Sequence, residues 1–159
     1  MSDQKKCFEC ESSNVQPRAV KHVEHVGSVR VVDGTGFADV CLDCGAYSLT
    51  AEQLAGYERR AAALVLREVP APTGAMVKYA RKALGLRQKD LATLLGAAPE
   101  TLSRWENDER PIPQAEKLAL LGLLEGSLRS PDYVEHALAL ASGPAKAVPT
   151  ELVVLEEAC

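Results

Sequence analysis

Residues 86–107, LRQKDLATLLGAAPETLSRWEN, decide how this chain folds. Leu91, Ala92 and Leu95 recur at helical spacing, and Leu102 with Trp105 marks a second apolar stripe. Gly96 stands between the stripes, where a residue free to take a positive φ permits a tight turn. Ala92 is small where two helices so joined come closest. The pattern predicts a helix-turn-helix, with Gln88 opening its first helix and Leu102 and Trp105 packing its second onto the core. Glu100, Thr101 and Arg104 then lie on the outward face of that second helix. A helical bundle that binds only protein is the competing reading of spaced leucines. The combined spacing of Gln, Ala, Gly, Leu, Arg, Trp and Glu favours a DNA reader.

Charge is the objection to that reading. The 159-residue chain has a formal net charge of −4, and Glu100, Asp108 and Glu109 sit in or just beyond the candidate reading helix. The charge is unevenly placed, however. Lys and Arg against Asp and Glu number 8 to 10 over residues 1–73, 9 to 7 over 74–130, and 1 to 5 over 131–159. Residues 76–89 hold Lys78, Arg81, Lys82, Arg87 and Lys89 and no acid. Local charge sets the field that a nearby phosphate feels. Lys78, Arg81, Lys82 and Lys89 are therefore candidate phosphate contacts, and Gln88 can offer its amide to the same backbone. Their ordinary alternative is a solvated helix face.

Three roles are open to Glu100. It can accept from a cytosine amino group, or place a carboxylate at the positive end of a helix whose apparent N-cap, Ala98, has no side-chain acceptor. It can also pair with Arg104 one turn on. The helix-end role is favoured, with a cytosine contact open in the bound state.

Working outward, CFEC (7–10) and CLDCG (41–45) form a CxxC…CxxC pair with 30 residues between them. Two thiolates three positions apart in a tight turn share one metal ion, and two such turns complete a tetrahedral sulfur set. Gly45 suits a turn of this kind. A segment this short, with few large apolar residues, cannot bury enough surface to fold unaided. Zinc contributes on the order of 10–16 kcal/mol to such modules. The expectation is one structural Zn2+ per chain on Cys7, Cys10, Cys41 and Cys44, in a closed site with no open position for water. Redox CxxC motifs sit at helix starts in βαβ units, a setting this sequence lacks. His22 and His25 read as exposed strand residues, and Cys159 as a free terminal thiol.

Between the motifs, VRVVDGTGF (29–37) reads as a strand and Gly-rich turn, and TAEQ (50–53) as a capping box. Leu54, Tyr57, Ala61 and Leu64 predict an amphipathic helix over 51–67. VPAPTG (69–74) interrupts the periodicity as a hinge or linker. Met76, Ala80, Ala83 and Leu84 form one further stripe, and Leu118, Leu121 and Leu124 another. SPDYVEHALALA (130–141) predicts a last helix with Ser130 as N-cap and Pro131 at the first position. No stretch approaches the roughly 20 apolar residues that span a bilayer. The start, MSDQKKC, lacks the apolar core of a signal peptide, so a cytoplasmic location is expected, where cysteines serve metal or redox chemistry rather than disulfides.

CFEC…CLDCG, the helix that follows and VKYARKALGLRQKDLATLLGAAPETLSRWEND together resemble the MqsA (YgiT-type) antitoxins, over about residues 5–126. In that family a zinc-ribbon-like N-terminal domain binds a toxin, usually an mRNA-cleaving ribonuclease. A C-terminal Xre-type helix-turn-helix dimerises and represses the operon. The resemblance implies zinc ligands at Cys7, Cys10, Cys41 and Cys44. It also implies base reading by an Arg at 104 and an Asn at 100; Glu100 departs from this, so the DNA sequence read should differ.

The fold expected is α+β: a small zinc-ribbon-like β domain, a linker helix and an all-α helix-turn-helix domain. The division is 1–68 for zinc and toxin binding, 69–74 as linker, 75–141 for DNA binding and dimerisation, and 142–159 as tail. The function expected is a non-enzymatic antitoxin and repressor, acting as a homodimer on a palindromic double-stranded operator, with a cognate toxin as partner and no membrane. The alternatives are a stand-alone zinc-containing regulator that senses a ligand or docks another protein, and an oxidoreductase using the CxxC thiols.

Overall fold

The computed structural model describes residues 5–144. Cys159 and most of the expected tail lie outside the described residues. Five strands precede six helices: β1 Val15–Ala19, β2 His22–Val26, β3 Val29–Asp33, β4 Phe37–Cys41, β5 Tyr47–Ser48, α1 Ala51–Glu68, α2 Gly74–Ala83, α3 Gln88–Leu94, α4 Pro99–Glu106, α5 Gln114–Arg129 and α6 Tyr133–Ser142. The α+β class expected from sequence is what the chain adopts.

The strands form two units. β1, β4 and β5 make an antiparallel sheet in that order, with Val15 opposite Cys41 and Ala19 opposite Phe37. β2 and β3 form a separate hairpin in which Val26 faces Val29 across Gly27 and Ser28. Gly27 has φ +60, the left-handed conformation such a turn demands. Its missing Cβ also matters, since one there would sit 3.1 Å from Met76 Cγ on α2.

The capping box forms as the sequence indicates. The Gln53 amide donates to Thr50 Oγ1 at 3.2 Å and the Thr50 amide donates to Gln53 Oε1 at 2.8 Å. The stripe of α1 does differ from expectation, because Leu54 and Leu64 are exposed. The buried positions are Tyr57, the alanines 61–63, Val65 and Leu66. α1 is covered on two sides, which broadens its buried arc and favours small residues. Ala61 and Val65 meet Val26, Val31 and Met76, while Ala62, Ala63 and Leu66 join the helical core with Val77, Ala80, Leu120 and Leu124. α1 thus packs with the helices as well as with the hairpin.

Residues 69–74 connect α1 to α2 but are tied down. The buried Lys117 donates from Nζ to Val69 O at 2.7 Å and to Pro70 O at 3.2 Å. The Gly74 amide donates to Asp108 Oδ1 at 2.6 Å, and a Cβ at Gly74 would lie 2.5 Å from the Glu106 carbonyl. On α5 the core is made by Leu120, Leu123 and Leu124, whereas Leu118 is exposed. α6 begins later than expected: Ser130–Asp132 form a turn closed by Tyr133 N–H on Ser130 O, and Asp132 is the N-cap. No residue of α6 is buried.

Candidate DNA interface and metal centre

Two chemically distinct sites follow from this framework. The first is built by α3 and α4. Gly96 takes φ +62, and the Ala97 amide donates to Ala92 O at 2.9 Å, closing the turn between the helices. Leu91, Ala92 and Leu102 are essentially inaccessible and Trp105 is buried, so α3 and α4 are fixed to one core. Glu100 and Arg104 are exposed and Thr101 is half-buried, which puts all three where the sequence placed them, on the face turned away from that core. Pro99 is the first residue of α4 and Ala98 caps it without a side-chain bond, which leaves Glu100 the one acid in the first turn. Among the described residues Glu100 and Arg104 form no ion pair, so the carboxylate does not occupy the guanidinium.

The basic stretch at 78–89 divides. Lys78, Lys82 and Lys89 are exposed and have no ion-pair partner among the described residues. Lys78 and Lys82 lie one turn apart on α2. Arg87 is exposed and pairs with Asp90 at 2.7 Å. Arg81 corrects the sequence reading. It is 9% exposed, and its Nε and Nη2 donate to Glu106 Oε1 and Oε2 at 2.6 and 3.1 Å, with Nη1 on Leu86 O at 2.8 Å. All three donor groups are committed to the interior, so its guanidinium joins α2 to α4 and is not available to a phosphate.

Glu106 was not singled out from sequence, and it is the hub of this site. It accepts from Arg81 twice and from Gln88 Nε2 at 2.8 Å, linking α2, α3 and α4 through one carboxylate. The signal was available: residues 102, 105 and 106 share the inward face of α4, and an acid there requires a buried cation. Gln88 is thereby oriented at the start of α3, with one carboxamide N–H spent on Glu106 and the second left to donate.

The second site is made by two matching turns. The Glu11 amide donates to Cys7 O at 3.0 Å and the Gly45 amide to Cys41 O at 2.9 Å, so each CxxC folds back on itself. The residue after each pair is left-handed: Glu11 has φ 59 and Gly45 φ 78. Asp43 accepts from Ser12 Oγ and from Asn14 Nδ2, clipping one turn to the other. These bonds hold the Asp43 carboxyl below its usual range.

The four Sγ atoms lie within 4.8 Å of one another, with Cys7–Cys44 and Cys10–Cys41 each at 3.6 Å. A tetrahedron with bonds of about 2.3 Å to sulfur has edges of about 3.8 Å, so the donors fit a single ion and are too far apart for disulfides. The thiols also differ. Amide donation from Cys44 and Asp43 brings Cys41 down to about 7 against the opposing effect of burial. Cys10 is pushed up to about 12: a backbone bond with Ser12 lowers it, but the bonds with Cys44 and Cys41 outweigh this. Four thiolates this close repel one another unless a cation lies among them. The set contains no histidine. His22 is half-buried rather than exposed, with Nε2 2.9 Å from Glu24 and its ring 4.7 Å from that of Tyr57; His25 is exposed as expected.

The class these sites define is a DNA-binding regulator carrying a cysteine site able to hold a metal ion. Residues 77–124 match a helix-turn-helix family model, from α2 through most of α5. No curated protein matches the chain. Among the described residues no helix is long and apolar enough to cross a membrane.

Proposed function

We propose that the chain is a zinc-containing antitoxin and autorepressor, in which the N-terminal half occupies a ribonuclease-type toxin and the C-terminal half represses the operon. The observation that carries the DNA half of this reading is the outward face of α4, with Arg104 free to make a bidentate guanine contact. Thr101 and Glu100 flank it. Lys78, Lys82, Lys89 and the Gln88 amide supply sequence-independent phosphate contacts. Glu100 acts first at the helix end, worth about 0.3–1 kcal/mol. Selection of binding sites by wild type and Glu100→Gln tests this, and direct readout by Glu100 is excluded if both prefer the same sequence.

One recognition helix reads too few bases to be selective, so the active form is a homodimer on a palindromic operator. The apolar face of α6, with Leu140 80% exposed and no residue buried, supports association through the C-terminal half. Cys7, Cys10, Cys41 and Cys44 would hold the zinc ion, which supplies folding free energy and no reactive position. The residues divide functionally at 69–74, with 1–68 engaging the toxin and 75–141 the operator.

Co-expression with each adjoining reading frame tests the antitoxin role. Rescue of growth from one of them, with copurification, is expected. DNA binding without any such rescue would instead favour a stand-alone regulator.

A further inference from the structure

Among the described residues, the β2–β3 hairpin leaves one side of β3 without a strand. In a two-residue hairpin the closing pair, here Val26 and Val29, is hydrogen-bonded, and bonded pairs alternate from there. Val31 and Asp33 therefore bond to β2, while the N–H and C=O groups of Arg30 and Val32 point outward. Among the described residues neither has a backbone bond to a turn or loop. α1 borders this open edge. Between them a cavity of about 260 Å³ lined by Val31, Val32, Ala61 and Leu64 adjoins one of about 270 Å³ that extends to Val29 and Val69. Val32 and Leu64, which line both, are 48% and 42% exposed.

Charges bound the groove unequally. At one end Arg60 and Asp33 neutralise each other at 2.6 Å. At the other, Arg30 on β3 and Glu68 on α1 are exposed on opposite walls, and neither is ion-paired among the described residues. Open main-chain groups on an apolar edge are satisfied by another extended chain, which neither a helix nor a small molecule reproduces along a strand.

We propose that β3 and α1 form the docking groove for an extended segment of the partner protein, which adds to β3 as a third strand. Arg30 and Val32 supply the main-chain bonds. An apolar partner side chain fills the space between Val32 and Leu64, an acidic one faces Arg30, and a basic one faces Glu68. This rests on the reading that the N-terminal half binds a protein, and it places the contact on the hairpin and α1.

The test uses the full-length, metal-loaded chain and the product of the adjoining gene that rescues growth. Val32→Pro removes an outward N–H at an edge where proline is tolerated, and Leu64→Glu places a charge in the groove without touching the strand. Each should weaken binding at least about tenfold, as for a well-buried interface contact. Phe37→Glu, at an exposed position on β4, should leave binding unchanged. The metal content of all three variants should match wild type, which separates lost docking from lost folding. Equal binding by wild type, Val32→Pro and Leu64→Glu would overturn the groove while leaving the antitoxin role standing. Failure of every adjoining product to bind wild type would overturn both. Loss of the homodimer in the same two variants would assign the groove to a second copy. Protection of the Arg30 and Val32 amides in the free chain, released by cutting after residue 144, would assign it to residues 145–159; either result overturns the proposal.

Discussion

Replacing Glu106 with glutamine perturbs the helix-turn-helix at one atom and leaves its shape intact. Arg81 and Glu106 are 9% and 6% exposed, so their ion pair is not weakened by solvent screening. In wild type, Nε and Nη2 of Arg81 both end on the carboxylate, and Gln88 adds a third donor to it. Glutamine keeps one acceptor and turns an NH2 group toward a guanidinium that only donates. The buried cation then lacks a counter-charge, at a cost of about 3–5 kcal/mol. Against a total stability of about 5–15 kcal/mol, such a loss is readily measured. Trp105 is the chain's one tryptophan, buried beside Glu106 in sequence, so its fluorescence in a urea titration reports this core directly. The double variant Arg81→Met, Glu106→Leu removes both charges together and should recover most of the loss, since the penalty lies in the unpaired ion. A loss below about 1 kcal/mol for Glu106→Gln, or a double variant as unstable as the sum of the singles, would refute this account of the hub.

Three other outcomes follow from the structure. Glu11 occupies a left-handed position that Gly45 fills in the twin turn, so Glu11→Gly should stabilise the metal-loaded chain by about 0.5–1 kcal/mol and Gly45→Ala should destabilise it by about 1–2 kcal/mol, read from thermal melts. Metal analysis should return one zinc ion per chain, with Cys7, Cys10, Cys41 and Cys44 resisting alkylation until a chelator is added; immediate alkylation would exclude the tetrathiolate site. Burial raises the Asp33 carboxyl, but bonds from Thr35 and the Arg60 charge outweigh it and leave it below its ordinary value of 3.8. A lowered carboxyl stabilises the fold above its unfolded-state pKa, and that contribution is lost as pH falls through the folded-state value. Asp33→Asn should therefore reduce stability near neutrality and flatten its decline below pH 3.8; an unchanged acid limb would contradict the assignment.

The periodic parts of the fold were legible from the residues. The capping box at Thr50, the glycine turn at Gly96 and the paired cysteine turns are local devices, each specified by neighbours in sequence. What the chain did not disclose depends on contacts between distant elements. Arg81 reads as a surface cation until Glu106, 25 residues on, is brought beside it. Leu54 and Leu64 read as core until α1 is seen to bury a broad alanine-rich arc between hairpin and helices. The binding of Lys117 to the carbonyls of Val69 and Pro70 changes a proline-rich hinge into an anchored connection. The outward placement of Glu100 and Arg104 was legible because Leu102 and Trp105 fix the inward face of α4, and the helical period then sets the opposite one.

The central claim is that α4 reads DNA sequence through Arg104. Selection from random duplexes with the full chain, compared with Arg104→Ala, tests it most directly. Wild type should enrich a two-fold symmetric motif, and Arg104→Ala should lose about 1–3 kcal/mol of discrimination at one guanine per half-site while Trp105 fluorescence shows an intact core. Enrichment of no motif by wild type, or of the same motif with equal preference by both proteins, would contradict the account.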